Sequence, residues 1–283
     1  MTAPILRRLA DLRAPTREWR QKGEVIGVVP TMGALHQGHL SLAEAAKADC
    51  DRVVVTIFVN PKQFNNPEDL ANYPRTEQED AEKLAPYDVD AIYVPDPQEI
   101  YPEGFATTVS VSGLTDTMEG EFRPGHFDGV ATVVAKLFLQ TQADRAYFGE
   151  KDYQQLMIVR RMAGDLDIPI KVIGCPTVRE PSGLAMSSRN QRLSDRGLVI
   201  AAKKHRIMRA LVQALENGEA FNSLVTQAQA ELLAAGFAEV EYLQLRCADT
   251  LDPLAHADRP ARLFAATMLE GVRLIDNLPV SKV

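Results

Sequence analysis

The stretch EVIGVVPTMGALHQGHLSLAEAAKA, Glu24 to Ala48, decides the fold class. Its first seven residues form a short apolar run ending at Pro30, the pattern of a strand buried on both faces. A turn containing Gly33 follows, and from Gly38 the apolar residues recur at helical spacing. A strand that passes through a glycine turn straight into a helix is the first half of a βαβ unit.

The same alternation continues downstream. RVVVTIFV (Arg52 to Val59) reads as a β-branched strand, and Thr76 to Pro86 as a helix after a polar, Pro- and Asn-rich loop. DAIYVP (from Asp90), RAYFG (from Arg145) and IPIKVIG (from Ile168) read as further strands. HFDGVATVVAKLFLQTQ (from His126) and KDYQQLMIVRRMAGDL (from Lys151) read as the helices between them. Strands separated by helices of about ten residues or more require a parallel sheet. The expected fold is therefore α/β, a Rossmann-like doubly wound parallel sheet with ligands at the carboxyl ends of its strands. The opening segment MTAPILRRLADLRA has helix-like spacing and lacks the continuous apolar core of a signal peptide.

After Cys175-Pro176 the rhythm changes. Two helical stretches, Asp195 to Glu216 and Ala220 to Ala235, precede three strand-like segments, VEYLQLRC, RLFAATML and GVRLIDN, with a hairpin signal at Glu270-Gly271. That order predicts a smaller C-terminal α+β domain, 178–283, after a sheet domain at 1–177. The 283 residues carry a formal charge of −7, split into −8 before residue 177 and +1 after it. Net acidity excludes bulk-charge binding to nucleic acid and argues against an anionic membrane surface. No apolar run approaches the roughly 20 residues of a membrane span. Three scattered cysteines, Cys50, Cys175 and Cys247, show no disulfide or metal spacing and suit a reducing, cytoplasmic compartment.

Four segments carry chemistry. In the first, Met32, Gly33, Ala34, Leu35, His36, Gln37, Gly38 and His39 lie at a helix start, where backbone N–H groups and the helix dipole favour an anion. Imidazolium donors at His36 and His39 would stabilise charge developing as a phosphoanhydride breaks. The plainer alternative is a turn whose histidines only cap and pack. Zinc at HxxH would need a third ligand from His126, His205, His256, a cysteine or a carboxylate, none at a metal-site spacing.

The second segment, FVNPKQF, offers Asn60 and Gln63 as neutral amides for a small hydroxy-acid, or as simple turn residues. The third, YFGEKDYQQL, places Gly149, Glu150, Lys151 and Asp152 at another strand end, with Gln154 and Gln155 on the following helical turn. Lys151 suits phosphate oxygens, while a solvated Glu-Lys-Asp cluster is the alternative. In the fourth, GLAMSSRN, two hydroxyls (Ser187, Ser188) and the Arg189 guanidinium match a triphosphate, on a loop able to close or merely to cap a helix. RPGHFDGVATVV adds Arg123 and His126 at a further helix start.

HQGH and MSSRN resemble the paired HIGH and KMSKS-type signatures of nucleotidyl transferases. PTMGALHQGHLSL, FVNPKQF, YPRT, RPGHFDGVATVV, FGEKDYQQL and GLAMSSRN, in this order, resemble the pantothenate synthetase (pantoate–β-alanine ligase) family over roughly residues 20–195. The resemblance implies that pantoate is activated by ATP to pantoyl adenylate, with release of pyrophosphate, and that β-alanine then displaces AMP. It puts Met32 to His39, Gly149 to Asp152, Val178 and Met186 to Arg189 along ATP, with His36, His39, Lys151, Ser187, Ser188 and Arg189 on the reacting phosphates. It makes His39 the proton donor, and Gln63, Gln155, Asn60 and Arg123 the substrate contacts. It further implies Mg²⁺ arriving with ATP, a homodimer, and a C-terminal domain that serves as a lid. No metal ligand is assigned, and EQED (Glu77 to Asp80) reads as a solvated helix face. Three rivals are a transferase acting on a phosphate ester, a non-catalytic nucleotide sensor and a tRNA ligase. The amides, the complete donor set and the short acidic chain respectively argue against them.

Overall fold

A computed structural model describes residues 2–65 and 67–281. It divides into two units, one of residues 1–150 and 154–176, the other of residues 151–153 and 177–283. The boundary after Pro176 lies one residue before the expected one. The transfer of Lys151 to Tyr153 to the second unit was not expected from sequence.

In the first unit the chain runs β1 (Ile5–Leu6), α1 (Leu9–Gln21), β2 (Ile26–Thr31), α2 (Gln37–Asp49) and β3 (Arg52–Ile57). It continues through α3 (Pro67–Ala71), α4 (Glu77–Leu84), β4 (Ala91–Tyr93), α5 (Pro97–Ile100), α6 (Glu119–Phe122), α7 (His126–Thr141), β5 (Arg145–Gly149), α8 (Tyr153–Asp165, from Gln154 on) and β6 (Lys171–Cys175). The six strands form one parallel sheet in the order β1-β4-β3-β2-β5-β6. β2 and β3 are buried along most of their length, as covering by helices on both faces requires. On one face α2 packs Leu40, Ala43 and Ala46 against Val29, Val53 and Val55. α7 is buried along nearly its whole length. Ile5 and Leu6, expected to begin a helix, instead pair with Ile92 and Tyr93 as a two-residue edge strand.

The direction of winding reverses between β2 and β5, which lie side by side. At such a switch point the loops leaving two adjacent parallel strands diverge and open a crevice at the carboxyl ends. The turn at Met32 and the turn at Gly149 leave these two strands.

The second unit holds α9 (Asp195–Glu216), α10 (Phe221–Ala235) and an antiparallel sheet of β7 (Glu239–Cys247), β8 (Ala261–Leu269) and β9 (Val272–Val280). Its core joins Leu211 and Leu215 of α9 and Leu232 of α10 to Leu263, Ala265, Leu274 and Leu278 of the sheet. The hairpin signal is realised, since Glu270 (φ 51°) and Gly271 (φ 74°) both adopt the left-handed conformation of a two-residue turn. Successive strand residues face opposite sides, so Arg262, Phe264 and Asn277 lie on the sheet face away from Leu263 and Leu278. The three cysteines are buried free thiols, and no helix among the described residues is long and apolar enough to cross a membrane.

Candidate active site

The turn after β2 is held by a residue the sequence places on a solvated face. Asp80 of α4 is fully buried, and its carboxylate accepts the backbone N–H groups of Ala34 (2.9 Å) and Leu35 (2.7 Å) and the Thr76 hydroxyl (3.1 Å). Gly33 (φ 83°) and Ala34 (φ 51°) both lie in the left-handed region, which costs a non-glycine residue about 1–2 kcal/mol. Two charge-assisted hydrogen bonds offset that strain. The signal was present in EQED, because Asp80 shares a helix stripe with Leu84 four residues on. Backbone donors and the Thr76 hydroxyl, and not water, satisfy this carboxylate.

The turn delivers His36 as the N-cap of α2. Its Nδ1 accepts the Gly38 N–H (3.1 Å), and the Nδ1 of His39 accepts the His36 N–H (3.4 Å). The ring centroids are 4.2 Å apart. A backbone N–H can only donate, so each Nδ1 is a lone-pair acceptor and each neutral ring carries its proton on Nε2. Both rings thus brace the start of α2 through Nδ1.

Pro61 to Gln63 form a short 3₁₀ turn beyond β3. The Nε2 of Gln63 reaches the Sδ of Met32 (3.1 Å), which links the second segment to the first. Asn60, expected as a substrate contact, is buried and fully engaged. Its Nδ2 donates to Gln63 Oε1 and to the Gly129 carbonyl (both 3.0 Å), and its Oδ1 accepts the Tyr101 hydroxyl (2.8 Å). Burial raises the Tyr101 phenol to about 12, so it stays a donor. Arg123, also expected on substrate, binds Glu119 (2.5 Å) and the Gln63 carbonyl (3.2 Å), which the buried His126 also meets (2.7 Å). Both residues meet Gln63, and a buried amide and a half-buried guanidinium find these partners in the protein itself. A Cβ at Gly129 would lie 2.3 Å from the Lys62 carbonyl, so glycine permits the turn to dock on α7.

Gln154 is buried, donating to the carbonyls of Leu114 and Thr117 (both 2.8 Å) and accepting the Glu119 N–H (3.2 Å). Gln155, the next residue, is half-buried. Gly149 and Glu150 close β5 in the first unit.

The remaining expected site residues belong to the second unit. Lys151 pairs with the adjacent Asp152 carboxylate (3.3 Å). The Met186 N–H donates to the Val178 carbonyl (3.0 Å), and an isolated bridge joins Arg179 to Ala185. This backbone pairing ties Val178, a residue with no functional group of its own, to Met186. Ser187 caps the 3₁₀ turn Ser188–Arg192, its hydroxyl accepting the Arg189 N–H (3.3 Å). Arg179 anchors the loop, bidentate to the buried Asp276 (2.8 and 2.9 Å) and bonded to the Gly183 carbonyl (3.0 Å). Among the described residues no three His, Cys, Asp or Glu side chains gather as a metal site.

A model of the family described as pantoate-beta-alanine ligase matches residues 4–279. The chain belongs to the pantoate–beta-alanine ligase family. A relative from Ruegeria pomeroyi named pantothenate synthetase is 71% identical over 282 residues, all of this chain and 99% of the relative. A Thermus thermophilus pantothenate synthetase structure superposes with a TM-score of 0.92 at 45% identity, covering 98% of this chain and 99% of that one. The Francisella tularensis pantoate-beta-alanine ligase, solved with beta-gamma ATP and beta-alanine, gives a TM-score of 0.84 at 37% identity and covers 98% and 97%. Family membership therefore extends through the C-terminal unit, where the sequence motifs were sparse.

Proposed function

We propose that this chain condenses pantoate with β-alanine at the expense of ATP, through pantoyl adenylate. A pantoate carboxylate oxygen forms a bond to the α-phosphorus, and the bond to the bridging oxygen breaks, releasing pyrophosphate. The β-alanine amine then attacks the acyl carbon, loses a proton, and displaces AMP as the acyl–oxygen bond breaks. Three substrates and no macromolecule take part.

The observation that carries the reading is the paired capping of His36 and His39, whose Nδ1 atoms are turned to the backbone. On this reading the two rings, at a helix N-terminus, receive charge through Nε2 as pyrophosphate departs. His39 then acts chiefly as a charge-stabilising donor. Gln63 and Gln155 take pantoate and β-alanine, while Asn60 and Arg123 hold Gln63. Lys151, Ser187, Ser188 and Arg189 complete the phosphate donors, and Met32 to Gln37, Gly149 to Asp152, Val178 and Met186 line the nucleotide. The C-terminal unit takes the part of a lid. Mg²⁺ enters as part of the nucleotide substrate. A cytoplasmic homodimer completes the proposal.

AMP formation measured with all three substrates, and with each omitted in turn, tests the reaction. Pyrophosphate should appear in a single turnover with ATP and pantoate alone, and AMP only when β-alanine is added. Absence of the adenylate without β-alanine would overturn the two-step route. His39→Ala should slow adenylation at least about tenfold, the low end for removal of a charge-stabilising donor.

A further inference from the structure

The motif GVRLIDN (Gly271 to Asn277) and the strand RLFAATML have no part in the reaction as described above. They nevertheless converge on Lys151. Within the second unit, the Nδ2 of Asn277 donates to the Lys151 carbonyl (2.8 Å), and Asn277 is only 3% exposed. Its Oδ1 accepts from Arg262 Nη1, and its backbone N–H is held by Asp276 (2.8 Å). The Arg262 guanidinium lies 3.9 Å from the centre of the Tyr153 ring, and the Tyr153 hydroxyl donates to the Ala248 carbonyl (3.1 Å). Both ends of Lys151–Tyr153 are thus pinned to β8, β9 and the residue after β7. This is why a three-residue piece between β5 and α8 belongs to the second unit.

We infer that Asn277, backed by Arg262, is a positioning residue for Lys151: it fixes the main chain from which the ammonium must reach the nucleotide phosphates. The inference rests on the proposed phosphate role of Lys151. An amide suits this task because it donates to the carbonyl at one end and accepts from Arg262 at the other, with no charge of its own beside the ammonium. Lys151 has a flexible four-carbon stem, so a fixed backbone narrows the positions its point charge samples. Small displacements of such a group carry large rate effects.

The test is a double-mutant cycle on the full chain, reading adenylation in a single turnover and, separately, aminolysis of supplied pantoyl adenylate. Asn277→Asp keeps the acceptor for Arg262 and turns a second oxygen against the Lys151 carbonyl. It should slow adenylation about tenfold or more, as expected for a misplaced charge-stabilising group, and leave aminolysis within about twofold. In a Lys151→Ala background, which retains the carbonyl, the same change should have no further effect on adenylation. Arg262→Lys provides a second route if Asn277→Asp does not fold, with the same selective loss at about threefold. Multiplying effects in the double variant, or a parallel loss of aminolysis, would overturn the inference. Wild-type adenylation in Lys151→Ala alone would overturn the phosphate reading and the inference with it, whereas a loss there combined with normal rates in Asn277→Asp and Arg262→Lys would sink the inference only.

Discussion

Asp80 in the first unit and Asp276 in the second are both buried near residues proposed for the nucleotide, and the two carboxylates are satisfied in different ways. Asp80, fully buried in the first unit, takes two backbone N–H groups and a hydroxyl, with the Lys83 ammonium 3.9 Å away and partly in solvent. Asp276, in the second unit, faces the Arg179 guanidinium bidentately, and its field also reaches the buried Lys204. A carboxylate bound by main-chain donors dictates the path of the chain. A carboxylate shared by two cations fixes side chains and leaves a surplus positive charge in the core. The first arrangement shapes a turn; the second braces β9 on the face opposite Asn277, while the Asp276 carboxylate also accepts the Asn277 backbone N–H.

The comparison can be broken most severely at Asp80. Asp80→Ala leaves two buried N–H groups of Ala34 and Leu35 without their acceptor, and should lower unfolding stability by about 4 kcal/mol in urea titrations. Asp80→Asn, retaining one acceptor oxygen, should lose about half as much. A loss below about 1 kcal/mol in both variants would show that the turn holds itself.

The next largest effect tests the surplus charge. Burial drives the Lys204 ammonium down to about 8, against attraction from Asp276, and Lys151, Arg273 and Arg179 push the same way as burial. Its folded value lies below the unfolded 10.5, so between these limits the unfolded chain binds more protons. Stability contributed at this site therefore rises as pH increases from about 8 to about 10.5. Wild type minus Lys204→Met, followed by denaturant unfolding across that window, should climb by about 3 kcal/mol. A flat difference would remove the surplus-charge account.

The smallest effect belongs to an exposed carboxylate. Glu270 accepts the Ser194 hydroxyl (2.6 Å) and N–H (2.8 Å), which holds its carboxyl below the usual range, while Ser194 caps α9 through Gly197 (3.0 Å). Ser194→Ala should cost about 1 kcal/mol, mostly from the lost cap, seen as a fall of about 2–4 °C in Tm. A cost equal to that of Asp80→Ala would mean that burial does not separate these carboxylates.

Much of this was legible before any coordinates. The run from Glu24 to Ala48 specifies a buried strand, a turn and a helix through local rules, and successive repeats of it require a parallel sheet. The C-terminal hairpin was legible in Glu270-Gly271 because only a few residue types accept two left-handed conformations in succession. His36, His39 and Gln63 stand out because their chemistry is written in their side chains and in the turns that carry them. The partners of Asn60 and Arg123 were not legible, because sequence shows a donor without showing what it donates to.

Sequence alone therefore determined the order of β2 to β6 and of the C-terminal helices and strands, and the family, since these depend on residues adjacent along the chain; the two-residue β1 needed its partner β4. The tertiary structure decided which polar groups meet which partners within the protein. Asp80 meets Ala34 across 46 residues, and Asn277 meets Lys151 across 126. Hydrogen bonds of that span have no periodicity to betray them. They arise because a buried donor or acceptor must find a partner within about 3 Å, and only the packed fold says which one is there.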